Sequence, residues 1–86
     1  MTDKKHAVEV YEENIFRDAT KFTVYRFLGR GAKEIREFTS FPEAINESLR
    51  NDRGLVYAVT EIGRSVCISE KDFDKYLTIW KNQGGD

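Results

Sequence analysis

The sequence predicts an α+β fold: an antiparallel sheet of four to five strands with two helices on one face, in the order (β)ββαββα. Three observations predict it. Two runs rich in aromatic and β-branched residues, "KFTVYRFLG" and "LVYAVTEIG", each stop at a glycine. Each is followed by a shorter returning run, and then by a serine and an apolar stripe of helical spacing. The chain has 86 residues, the size of one small domain spanning 1–86, and such a chain buries only roughly 60–65% of its unfolded surface. A hairpin alone is marginal in water, so both hairpins and both helical stripes are expected to share one core.

Taken in order, residues 1–5 and 82–86 read as flexible tails, the latter because Gly-Gly holds neither helix nor strand. "HAVEVYEENIF" is ambiguous. Val8 and Val10 alternate as in a strand, whereas Ala7, Val10, Tyr11, Asn14 and Ile15 form a helical stripe. The β-branched pair favours a strand through Tyr11 or Glu12, followed by a polar connection "RDATK".

"KFTVYRFLG" is the first firm strand, with Phe22, Val24 and Leu28 on one face and Tyr25 and Phe27 on the other. "GRGA" is a turn in which Gly29 and Gly31 take positive φ. "KEIREFT" pairs back. Ile35 and Phe38 are three apart, so a bulge near Arg36 or Glu37 is expected to put both on the core face. "SFPEAINESLRND" is a helix with Ser40 as N-cap, Glu43 completing a capping box, Pro42 in the first turn, and Phe41, Ala44, Ile45, Ser48 and Leu49 as the inner stripe. "NDRG" ends it, Gly54 giving a flexible exit.

"LVYAVTEIG" carries Leu55, Tyr57 and Val59 on one face and Val56, Ala58 and Ile62 on the other, which suits the middle of a sheet. Gly63-Arg64 fits a two-residue turn with glycine first, and "SVCIS" returns. Ser69 caps the last helix, whose stripe is Phe73, Tyr76, Leu77 and Trp80. Strand, Gly-Arg turn, strand, Ser cap and helix thus occur in residues 21–52 and again in 54–82, a possible internal ββα repeat.

The chemistry-bearing residues are few. Fourteen basic and fifteen acidic side chains nearly cancel, so no long-range field draws in phosphate backbones. One cysteine makes no internal disulfide, no apolar run approaches the ~20 residues that span a bilayer, and no signal-peptide core follows the basic start, so a cytoplasmic protein without membrane association is expected. Cys67 lacks a neighbouring base in sequence, the single histidine, His6, lying in the N-terminal tail, so it reads as a packing residue. One Cys and one His are too few for a zinc site, "YEENIFRD" has no glycine for a calcium loop, and "GRGAK" lacks the helix and the Ser or Thr of a phosphate loop. No cofactor, metal or catalytic residue is expected.

What remains is a surface. Tyr25 and Phe27 lie on a hairpin face with no assigned helix over it, an apolar strip of the kind that marks interfaces. Arg26, Arg30 and Arg36 lie on or near the same hairpin and Arg64 at the tip of the other. Tyr25, Arg26, Phe27, Arg30, Arg36 and Arg64 are therefore the expected interaction surface. A non-catalytic domain that binds a protein partner or forms a homodimer is the first reading. A nucleic-acid-binding module using the hairpin arginines is the second, weakened by Glu34 and Glu37 and by the alternative of cross-strand ion pairs.

Overall fold

The computed structural model describes residues 7–50 and 54–84. The elements are helix α1 (Ala7–Asp18), strands β1 (Ala19–Gly29) and β2 (Ala32–Phe38), helix α2 (Phe41–Arg50), strands β3 (Leu55–Thr60) and β4 (Ser65–Ile68), a 3-10 turn (Glu70–Asp72) and helix α3 (Phe73–Asn82). The four strands form one antiparallel sheet in the order β2-β1-β3-β4. The two hairpins are joined through their first strands, with Phe22 opposite both Phe38 and Ala58. The α+β class and the ββαββα order are those the sequence predicts. Among the described residues no group of three or more His, Cys, Asp or Glu side chains is placed to hold a metal ion.

The leading segment corrects the strand reading. Residues 7–18 are helical. Val8 and Val10, the pair that favoured a strand, are exposed, while Ile15 and Phe16 are buried. The inner stripe is Glu9, Glu13 and Phe16, so two acids occupy the positions where a helical reading looks for apolar residues. Their charge is met from α3: Lys75 Nζ lies 3.1 Å from Glu9 and 3.4 Å from the buried Glu13. The segment "RDATK" is no linker, since the helix runs straight into β1.

One face of the sheet and all three helices enclose the core. Phe22, Val24, Val56, Ala58, Val66 and Ile68 point from the sheet into it. Phe16 is the hub, its ring 4.8 Å from Tyr76, 4.9 Å from Phe41 and 5.6 Å from Phe22. Trp80 stands edge-on to Phe22, and Phe73 edge-on to Phe41. Burial of the predicted stripe Phe73, Tyr76, Leu77 and Trp80 holds in α3, as does that of Phe41, Ala44, Ile45 and Ser48 in α2. Leu49 is instead exposed, its place taken by Glu47.

Four local expectations are corrected. The β1–β2 register is continuous from Phe22↔Phe38 to Phe27↔Lys33, so no bulge lies at Arg36 or Glu37, and Ile35 faces away from the core. The register shift falls between Phe27 and Gly29, where Leu28 is exposed. The second hairpin closes through Glu61, Ile62 and Gly63: Thr60 N–H donates to the Arg64 carbonyl, and Gly63 takes φ +90°. That is a three-residue loop ending in a left-handed glycine, and it carries Ile62 into solvent. Ser69 supplies its carbonyl to Asp72 N–H, with no side-chain cap. Helix α3 ends at Asn82, and Gln83 and Gly84 N–H donate back to the Ile79 and Lys81 carbonyls in a closing turn.

Gly54 is required for approach rather than for turning. A Cβ there would lie 2.9 Å from Val24 Cγ1 and 3.0 Å from the Tyr25 carbonyl. Its own carbonyl accepts from Ser48 Oγ at 2.8 Å, which ties the exit of α2 to the sheet. The "NDR" before it, with residues 1–6 and 85–86, lies outside the described residues.

Candidate interaction surface

The period of two that sends Phe22 and Val24 inward sends Lys21, Thr23, Tyr25 and Phe27 outward. Register carries the same parity across the sheet. Ile35, Tyr25 and Leu55 stand side by side on three adjacent strands, and Thr23, Tyr57 and Cys67 on the next row. No described element covers this face; all three helices pack on the other. Phe27, Ile35 and Leu55 are 62%, 49% and 41% exposed, and Cys67 is exposed beside them. The Tyr25 and Tyr57 rings meet edge to face at 5.2 Å, and Lys33 Nζ lies 5.6 Å from the Tyr25 ring centre. The result is a continuous apolar strip on an open sheet, centred on two tyrosines.

The six residues expected to form one surface are divided among four places. Tyr25 and Phe27 lie on the open face. Arg26 and Arg36 lie on the helix-side face, because they alternate with Tyr25 and Ile35. There Arg26 pairs across the strands with Glu34, Arg36 reaches Glu34 at 3.1 Å, and both approach the buried Glu47 of α2, at 3.8 and 3.6 Å. Hydrogen bonding from Arg36, opposed by partial desolvation and aided by Arg26, holds the Glu34 carboxyl below its usual range. A basic patch shared with Tyr25 and Phe27 is therefore not formed, and the cross-strand ion pairs are. Arg30 sits at the hairpin tip with φ +53°, beside Gly31 at +79°, an Arg-Gly pair in the left-handed turn that matches strand twist. Arg64 lies at the opposite end of the molecule from that tip, along a shallow cleft of ≈ 440 Å³ between α1 and the β3–β4 loop that Tyr11, Asp18, Glu61 and Ile62 also line.

Cys67 sits directly opposite Tyr57. The charge of Cys67, then burial, raises the Tyr57 phenol above its ordinary value. The thiol thus adjoins a weak acid. His6 lies outside the described residues.

Sequence reasoning placed Tyr25 and Phe27 on this face and read Leu55, Tyr57 and Val59 as one face of their strand. It missed that the two sets are neighbours, since β1–β3 pairing is long-range, and it sent Ile35 inward by assuming a bulge. Among the described residues, no helix is long and apolar enough to cross a membrane. The chain matches no protein-family model, no curated protein and no solved structure.

Proposed function

We propose that this protein is a small non-catalytic interaction domain that docks a protein partner on the open face of its sheet. One observation carries the reading: Phe27, Ile35, Tyr25, Leu55 and Tyr57 form a contiguous apolar strip on three adjacent strands, left uncovered by every described element. Contiguity matters, because scattered exposed apolar residues such as Val8 or Leu49 are ordinary on any surface. Two tyrosines at the centre suit an interface, since they offer large apolar area with a polar tip and little rotamer entropy to lose.

Charge narrows the chemistry of the partner. On this face Lys21 is paired with Glu37 at 3.1 Å, whereas Lys33 has an aromatic contact and no carboxylate partner among the described residues. A partner surface that is apolar, with an acidic group placed over Lys33, fits it. Nucleic acid fits less well, because Arg26 and Arg36 are taken up by Glu34 and Glu47 on the other face.

Site-specific photo-crosslinking in the producing cell tests this. A benzoylphenylalanine at position 27 or 57 should yield an adduct with a polypeptide, and one at position 8, on the outer side of α1, should not. Adducts from position 8 alone would refute the reading. Salt-sensitive adducts with nucleic acid at positions 27 and 57 would replace the partner class.

A further inference from the structure

Strand β2 is an edge, with β1 on one side and, among the described residues, no strand on the other. It is seven residues long, Ala32–Phe38, and Lys33, Ile35, Arg36 and Glu37 are all exposed. An edge of that length presents a row of unpaired N–H and C=O groups, and proteins either blunt such edges or use them. We propose that β2 pairs antiparallel with β2 of a second copy of this chain, about a two-fold axis at Ile35. The proposal goes beyond the docking function above and does not depend on it.

The sequence of the edge is "KEIRE", Lys33 to Glu37. A two-fold axis perpendicular to a sheet sets one residue opposite its own copy and pairs the others symmetrically about it. Centring on Lys33, Glu34, Arg36 or Glu37 places a charge directly opposite the same charge, which is destabilising. Centring on Ala32 or Phe38 leaves about half the edge unpaired. Centring on Ile35 sets Lys33 opposite the second copy's Glu37 and Glu34 opposite its Arg36, each twice by symmetry, with Ile35 against Ile35. No other centre within the five residues avoids a like-charge contact. An in-register parallel pairing fails likewise, because it sets every charge beside its own copy.

The faces also agree. Lys33, Ile35 and Glu37 lie on the open face, and Glu34 and Arg36 on the helix side, so opposed residues share a face in the paired sheet. Both helix layers then lie on one side. The row Leu55–Tyr25–Ile35 continues into its copy and doubles the length of the open apolar strip. Lys33 leans on an aromatic ring, and Lys21–Glu37 is an exposed pair that leaves carboxylate capacity free. Glu34 and Arg36 already pair with each other at 3.1 Å within the chain, and the second copy's Arg36 and Glu34 would extend that half-exposed pair into a four-charge cluster of alternating sign.

The test is sedimentation equilibrium of the full chain at low salt, up to roughly 500 µM. Dimer should form. Lys33→Glu and Glu37→Lys should each raise the dimer Kd by about tenfold or more, since two attractive contacts become repulsive. Mixing the two variants should restore association as a heterodimer, in which the swapped charges again oppose. Ile35→Cys in a Cys67→Ser background should give a disulfide-linked dimer under diamide, because antiparallel partners stand about 4.5–5.5 Å apart at Cα, within disulfide range. A strict monomer without that cross-link overturns the proposal. So does a dimer indifferent to both charge changes. If a charge variant fails to fold, the Ile35→Cys cross-link decides.

Discussion

Replacing Phe16 by leucine probes the docking of α1, the element whose type the sequence reading missed. Phe16 is 1% exposed and its ring lies within 5.6 Å of Phe22, Phe41 and Tyr76. Leucine keeps the site apolar and removes three ring–ring contacts, each worth about 0.5–1.5 kcal/mol beyond area burial. Allowing for partial collapse of the neighbours, the loss is about 2 kcal/mol. A chain of this size holds roughly 4–13 kcal/mol in total, so the variant still folds. Its thermal midpoint should fall by about 8–16 °C in a circular-dichroism melt. Val8→Ala on the same helix, at a side chain 65% exposed, serves as the control and should shift the midpoint by about 4 °C or less. A Phe16→Leu shift as small as the control's would mean that α1 is not part of the core, and the three-helix layer described above would be wrong.

Gly54→Ala should cost about 1–3 kcal/mol, read by urea denaturation, because the added methyl meets Val24 and the Tyr25 carbonyl at 2.9 and 3.0 Å; an unchanged midpoint would show that the α2 exit does not approach β1 as described. Burial raises the Tyr76 phenol, so its ionisation favours the unfolded chain: stability is intact below the ordinary value of 10.0 and falls as pH rises above it. Tyr76→Phe should therefore flatten the decline in thermal midpoint between about pH 9 and pH 11. Glu34 titrates below its ordinary value of 4.5, so its contribution is present above that value and lost as pH falls through the lowered one. Glu34→Gln should accordingly be less acid-sensitive than the parent below about pH 5, measured as the change in urea midpoint with pH.

The fold was legible where apolar residues set the period. "KFTVYRFLG" and "LVYAVT" alternate with bulky side chains, and Phe73, Tyr76, Leu77 and Trp80 repeat at helical spacing, so their elements followed directly. It was illegible where charge faces inward. The inner positions of α1 include Glu9 and Glu13, which make sense only once Lys75, far along the chain, stands beside them. Glu47 likewise displaces Leu49 from the inner face of α2 because Arg26 and Arg36 arrive from the hairpin to meet it. The same long-range pairing explains the candidate surface. Alternation alone put Arg26 opposite in direction to Tyr25 and Phe27, so the separation of the arginines from the aromatics was readable. The adjacency of Tyr25 to Tyr57 was not, since nothing local specifies that β1 borders β3. Turn chemistry was half readable: the left-handed glycines at 29, 31 and 63 were anticipated as turn residues, whereas loop length at Gly63 depends on the Thr60–Arg64 pairing.

The uncovered sheet face carries its own reporter, because Cys67 is the chain's single cysteine and lies exposed on that face beside Tyr57. The decisive measurement is the alkylation rate of Cys67 by a small maleimide, in dilute purified protein and in the intact producing cell, compared with a Val8→Cys thiol in a Cys67→Ser background. The account predicts rapid labelling of Cys67 in dilute solution and protection in the cell by about tenfold or more, with the thiol at position 8 labelled alike in both. Equal labelling of Cys67 in both settings would contradict it.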